Sequence, residues 1–300
     1  MMEQTYKKHL FDRSDGWRIR KNDPLMVMVP YIMRTRVESQ NLYEEEVDLA
    51  PIEQFIHDYS AEIPGLSVMT VLIAAMVRLL SQRPYLNRFV VWNKLYARNS
   101  IEISLSIKRQ LSDSGEETTV KMRFDPTDTI REICARVQKE IEASQPQGNV
   151  NGTDAAARWM GKMPSPLLRF VIWLAFRADS VGKMPKSVIA ISPFHCSIFV
   201  TNLGSIGIKP VYHHLYEMGT CSAFVSMGKK LRRTCVDENG EQYIQKYLTL
   251  KVNTDERICD GYYYASSMRM IHKYLVKPEI LLAPPETVIA DDGVGRPVGT

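Results

Sequence analysis

The chain has no run of about 20 apolar residues, the length a membrane-crossing helix needs, and its opening stretch, MMEQTYKKHLFDRSDGWRIRKNDP, holds no apolar core of signal-peptide kind. A cytoplasmic protein without a membrane span is therefore expected. Cysteine is scarce: Cys134, Cys196, Cys221, Cys235 and Cys259 are scattered and never form C-x-x-C. That pattern argues against a disulfide framework and a zinc site, so no metal is expected, and a reducing compartment fits best. Charge of one sign is also missing. Thirty-eight Lys and Arg stand against 34 Asp and Glu, a formal net charge of +4, and the two signs are interspersed. This argues against a nucleic-acid partner and leaves room for a small anionic ligand. The densest basic stretch, Lys229-Lys230-Leu231-Arg232-Arg233, reads as a solvated hairpin end. No internal repeat is visible.

A hydrophobic content of 45% over 300 residues supports a core that needs no covalent staples. Asn41 to Leu49 reads as a strand, and Pro51 then opens a helix, PIEQFIHDYS. Ser67 precedes VMTVLIAAMVRLL, apolar nearly all round, the mark of a deeply buried helix. In EISLSIK, Ile103, Leu105 and Ile107 alternate with polar residues, as in a half-buried strand. Thr127 or Asp128 can cap TIREICARVQKEIEA, whose Ile130, Ile133, Val137 and Ile141 share one face. The polar stretch SQPQGNVNGTDA leads into an insertion over residues 144–193 that holds LLRFVIWLAF. This segment is about half a membrane span; it reads as a helix packed on the core or on a neighbouring subunit, partly roofing a ligand channel, with a helix lying on a membrane surface as the alternative. CSIFVTNLGSIG and SAFVSMG read as strands, and Asp237-Glu238-Asn239-Gly240 turns the chain into EQYIQKYLTLKVN as a hairpin. The last residues, 284–300, read as a flexible tail.

The most concentrated chemistry lies in Asp255-Glu256-Arg257-Ile258-Cys259-Asp260-Gly261, between the last strand and a helix whose face is Tyr264, Met268, Ile271 and Leu275. Asp260 stands where an N-cap belongs, and Asp255 and Glu256 lie at the helix's positive end, so capping explains much of the stretch. Three clustered carboxylates without a ligand-rich loop do not make a calcium or magnesium site. Cys259, with no evident histidine beside it, reads as inert packing.

The order strand, D-x-R-x-x-D-G, amphipathic helix, then Lys277-Pro278-Glu279-Ile280-Leu281-Leu282 resembles the end of the chloramphenicol acetyltransferase-like superfamily, in particular the acyltransferase core of 2-oxoacid dehydrogenase complexes. Thr201-Asn202-Leu203-Gly204 resembles that family's S/T-N-L-G strand end, and Ala223 to Gly228 its next strand. The resemblance runs from Tyr31 to Leu282, apart from the insertion. It implies an α+β fold, a two-layer sandwich of mixed sheet and helices, forming one domain over residues 1–283. It also implies a homotrimer with a channel between subunits, where acyl-CoA or a similar thioester co-substrate meets a small-molecule acceptor. No tightly bound cofactor is implied. In the family's H-x-x-x-D-G motif the histidine deprotonates the acceptor, the aspartate holds the site through an arginine, and a Ser or Thr hydroxyl steadies the oxyanion. Thr201 stands at that hydroxyl and Asp260 at the aspartate, but Glu256 replaces the histidine. A carboxylate near 4.3 lies roughly 4 units below a thiol near 8.5, whereas imidazole lies about 2 below, so Glu256 needs burial to act as base. His213 and His214, in PVYHHLYEMG, offer a relocated base. The stretch before the core leaves no room for a lipoyl or subunit-binding domain. The expectation is a stand-alone acyltransferase, with an inactive homologue acting as a ligand-binding or assembly module as the alternative.

Overall fold

A computed structural model describes residues 12–108, 117–144 and 152–294. The chain runs through strand β1 (Gly16–Arg18), helix α1 (Pro24–Ile32), β2 (Gln40–Asp48), α2 (Ala50–Tyr59), α3 (Val68–Gln82), β3 (Arg88–Val91), β4 (Lys94–Arg98), β5 (Ile101–Lys108) and β6 (Glu117–Phe124). It continues with α4 (Ile130–Ser144), α5 (Gly152–Gly161), α6 (Ser165–Ser180), α7 (Lys186–Ile191), β7 (Ile198–Asn202), β8 (Ala223–Met227), β9 (Leu231–Val236), β10 (Gln242–Asp255) and α8 (Gly261–Val276).

The main sheet has the order β2-β10-β8-β7-β5-β6. Its centre is parallel, β5 with β7 and β7 with β8, while β6, β10 and β2 join antiparallel. Alternation assigns the two faces. Ile103, Leu105, Val120, Met122, Ile198, Val200, Val225, Met227, Leu248 and Leu250 enter one core with the apolar residues of α2, α3, α4 and α8. Helix α3 is buried almost all round, and Ser67 starts it with a capping box to Thr70. The opposite face carries Ser104, Ser106, Thr201, Ser226, Lys251 and Asn253. One layer of helices on one face of a mixed sheet is the expected α+β sandwich.

Strand β9 pairs only with the first half of β10, so the hairpin turned at Asp237–Gly240 projects beyond the sheet. A smaller antiparallel sheet, β1-β4-β3, stacks Phe89 on Tyr96 with ring centroids 5.5 Å apart.

Two expectations need correction, the tail and the extent of the loop before the insertion. Residues 284–294 are not a loose tail. Asp291 accepts a bidentate fork from Arg88 at 2.6 and 2.7 Å, and Gly293 O accepts the backbone N–H of Arg20 at 2.8 Å. Residues 295–300 lie outside the described ones. Helix α1 starts where the Asp23 carboxylate accepts Leu25 N at 2.8 Å. The insertion forms α5, α6 and α7; within one chain Asp179 is the one buried residue of α6, and the alternative expected for this helix, a contact with a neighbouring subunit, lies outside a single chain. The polar loop expected over residues 144–155 is shorter than that: Ser144 ends α4 and residues 152–155 open α5, while residues 145–151 are outside the described part.

Candidate functional site

Five side chains stand in register across the polar face of the sheet: Ser106 opposite Thr201, Thr201 opposite Ser226, Ser226 opposite Lys251, and Lys251 opposite Glu44. Thr201 is half-buried at the end of β7, and its hydroxyl has no hydrogen-bond partner among the described residues. The next residue turns the chain: Asn202 accepts Ser205 N at 3.2 Å, and Ser205 Oγ donates to Asn202 O at 2.7 Å. Glycine is required where this turn meets the next strand. A Cβ on Gly204 would come within 2.7 Å of Gly228 O, and one on Gly228 within 2.3 Å of Pro210. The two motif glycines thus let the 205–216 loop fold down over the polar face.

That loop carries the two histidines, and the sheet holds it in place. Val211 N donates to Ser226 Oγ at 3.4 Å, and Asn253 Nδ2 donates to His213 O at 2.8 Å. The His213 ring lies flat on Phe224, centroids 4.1 Å apart and planes within 3°. His213 Nδ1 is 3.1 Å from His214 O. A carbonyl can only accept, so this bond places the proton on Nδ1 and leaves the lone pair on Nε2. Phe224 is opposite Phe199, two residues before Thr201, so His213 sits one step, about 7 Å along the strand, from the Thr201 row. His214 is exposed, stacking on His213 and edge-on to Tyr216.

The turn after β10 is framed differently. Asp255 is fully buried. It accepts Arg257 Nε and Nη2, both at 2.7 Å, and Ser39 Oγ at 3.0 Å. Arg257 Nη1 also donates to Met33 O at 3.2 Å, and Glu256 N donates to Ser39 O at 2.9 Å. The backbone here is held on every side while the Glu256 side chain is exposed. Asp260 caps α8, accepting Tyr263 N at 2.9 Å, and no arginine pairs with it among the described residues. The arginine-bound carboxylate is Asp255, because Arg257 lies two residues from it and turns back. Burial, and then the charge of Asp260, push the Cys259 thiol up to about 12, which makes it unreactive.

Thr201 and the acidic turn do not meet within one chain. Thr201 is level with Lys251, two strands across, and Asp255 lies four residues further along β10, so their Cα atoms are separated by roughly 16 Å. The structure brings Thr201 and His213 to one face and leaves Glu256 at the sheet's other end.

Sequence reasoning missed a buried network beside this region. His195 is fully buried, with Nδ1 2.8 Å from Ser192 Oγ and Nε2 3.3 Å from Asp179 Oδ1. Arg13 Nη2 donates to the same Asp179 oxygen at 2.6 Å, and Arg13 Nε to Asp15 at 2.8 Å. Burial alone would raise Asp179; the bonds and charges of His195 and Arg13 outweigh it and hold the carboxyl at about 2. All of these side chains are buried, so the network ties the insertion to the small sheet and does not present a nucleophile. Its members come from three separate stretches, and no local pattern announces them. A cavity of about 330 Å³ lies elsewhere, between the start of α3 and α4, lined by Gly65, Ser67, Met69, Gln138, Ile141 and Glu142; it is in the helix layer, across the sheet from Thr201. No cluster of His, Cys, Asp or Glu able to hold a metal occurs among the described residues.

Residues 195–283, which contain Thr201, the histidine loop and the acidic turn, match the family model for the 2-oxoacid dehydrogenases acyltransferase catalytic domain. None of the curated proteins compared with the chain matches it. Solved structures do. A probable dihydrolipoamide acetyltransferase from Listeria monocytogenes 4b F2365 aligns at TM-score 0.54 and 14% identity, covering 90% of this chain and 98% of that one. The cubic core of a pyruvate dehydrogenase multienzyme complex aligns at 0.56 and 13%, covering 87% and 93%. A chloramphenicol acetyltransferase aligns at 0.52 and 11%, covering 86% and 99%. The chain therefore has the chloramphenicol acetyltransferase-like fold. Its C-terminal part also carries the sequence pattern of the dehydrogenase-complex acyltransferase domain.

Proposed function

We propose that this protein is an acyltransferase that moves an acyl group from a thioester such as acyl-CoA to a hydroxyl, amine or thiol acceptor. The observation that carries the reading is the pairing of Thr201 with His213: an uncommitted hydroxyl, and an imidazole whose tautomer leaves Nε2 open, on one sheet face inside the family-matched segment. His213 Nε2 takes the acceptor's proton as the acceptor attacks the thioester carbonyl. The tetrahedral oxyanion accepts a hydrogen bond from Thr201, the carbon–sulfur bond breaks, and the leaving thiolate takes the proton back from the imidazolium.

Glu256 is the second reading, favoured by its place in the motif and by the rigid turn that presents it. In the dihydrolipoamide acetyltransferase of Azotobacter vinelandii, similar in fold, a serine, a histidine and an asparagine have been investigated for their role in the catalytic mechanism, the last two four positions apart. Glu256 and Asp260 have the same spacing. Over roughly 16 Å, Glu256 serves Thr201 only if a neighbouring subunit supplies one of them and buries the carboxylate. A trimer is therefore part of this proposal. The projecting β9–β10 hairpin supports assembly: Val236 and Ile244 are exposed on it, and its outer edges are unpaired among the described strands. Five free cysteines suit a reducing cytoplasm.

The test follows thiol release from acetyl-CoA over a panel of hydroxyl, amine and thiol acceptors. His213→Asn is expected to lower turnover by about 10²-fold and Glu256→Gln by no more than a few-fold; the reverse pattern assigns the base to Glu256. Tight thioester binding with no turnover in any variant, wild type included, would make the protein a ligand-binding or assembly module. Light scattering should give the mass of three chains, and a clean monomer removes the shared-site reading.

A further inference from the structure

Helix α6 exposes what a soluble helix usually hides. Leu167, Phe170, Trp173, Leu174 and Phe176 all face solvent, Phe170 and Trp173 each 57% exposed. Only a stripe of Leu168, Val171, Ala175 and Ala178, spaced for one helical face, is half-buried against the molecule. Trp159 of α5 is also exposed. An apolar surface this concentrated marks a contact.

The charges around it identify the contact. Across α5, α6 and α7, residues 152–191, the cations are Arg158, Lys162, Arg169, Arg177, Lys183 and Lys186, against two acids, Asp154 and Asp179. All six cations are exposed, while Asp179 is buried against Arg13 and His195. Between two copies face to face, the contact would set cations against cations. The densest acidic run, Glu44 to Glu46, is already paired with Lys251, His272 and Arg233.

We propose that α5 and α6 dock on an anionic phospholipid surface, with α6 lying in the plane of the interface. Phe170, Trp173, Leu167 and Leu174 enter the headgroup boundary, and Arg169 and Arg177 extend their aliphatic stems along it to reach lipid phosphates. The helix does not cross: its 16 residues span about 24 Å, short of a core of about 30 Å, and no described helix is long and apolar enough to do so.

Flotation of the full chain with phosphatidylcholine vesicles, with and without phosphatidylglycerol, tests this. The protein is expected to float with the anionic vesicles only, less as salt rises, with a blue shift of tryptophan emission. Arg169→Gln with Arg177→Gln should weaken binding by about fivefold per cation removed, and Phe170→Ser with Trp173→Ser should abolish it, both with circular dichroism and melting curves unchanged. If one pair fails to fold, the other and the salt dependence still decide. No flotation, equal flotation with neutral vesicles, or binding indifferent to both pairs overturns the proposal. So does a fall in oligomeric mass in Phe170→Ser with Trp173→Ser without any vesicle binding, which would place the face between subunits.

Discussion

Helices α3 and α6 are 15 and 16 residues long and look alike as strings, VMTVLIAAMVRLL beside LLRFVIWLAF, yet one is core and the other is surface. The difference lies in what surrounds them. Helix α3 is packed between the sheet and helices α2, α4 and α8, and Ala74 and Ala75 let those neighbours approach. Helix α6 belongs to an insertion with one neighbouring face. A charge does not separate the two cases, because Arg78 of α3 is buried and donates to the carbonyls of Ile280 and Ala283. Large aromatic side chains do separate them: α6 carries Phe170, Trp173 and Phe176, whereas α3 carries no aromatic residue. Residues that must interdigitate from all sides are of moderate size; residues that present area to one partner are broad and flat.

The comparison can be broken at graded strength. The largest loss is expected where a buried charge is stranded: Asp255→Ala leaves Arg257 without its carboxylate and should cost about 3–5 kcal/mol in urea unfolding. Ile73→Ala, in the middle of α3, should cost about 2–5 kcal/mol, while Phe170→Ala on α6 should change stability by less than about 0.5 kcal/mol. Equal losses at these two positions would erase the distinction. The anchor of α6 is sensitive to acid. Asp179 ordinarily titrates at 3.8 and is held at about 2 in the folded chain. A depressed carboxyl stabilises fully above its unfolded value, so roughly 2 kcal/mol is present above pH 4 and disappears as pH falls through about 2. Asp179→Asn should flatten the melting temperature against pH in that window. A smaller loss than at Asp179 is expected at Asp260→Ala, about 1 kcal/mol from the lost α8 cap, with no stranded arginine to add to it.

Much of the fold is legible in the sequence, for stated reasons. The alternation in EISLSIK and the all-round apolar run after Ser67 assign their own burial, because strand and helix periods are local. Thr201-Asn202-Leu203-Gly204 is readable as a strand end because its turn and its glycine serve the close approach to Gly228. The placement of His213 is not readable: it depends on Asn253 and Phe224, which are distant in sequence and come together only when β8 and β10 pair. The network of Arg13, Asp179, His195 and Ser192 is non-local in the same way. The sequence points to Asp260 as the arginine-bound carboxylate, wrongly, because the motif carries two aspartates and only the packing of Ser39 shows that Asp255 is the buried one. Residues 284–294 lack periodicity and so suggest a loose tail, yet the Arg88–Asp291 fork and backbone bonds from Arg20 to Gly293 and from Ile289 to Ser81 pin them.

The most direct measurement is acetyl-CoA consumption by Thr201→Val, which removes the hydroxyl at nearly constant shape on a strand that keeps its pairing. If Thr201 steadies the oxyanion, turnover should fall by about 10²- to 10³-fold while thioester binding and the melting temperature stay near those of the wild type. Turnover unchanged from the wild type would contradict the assignment of Thr201 and, with it, the proposed site on the polar face of the sheet.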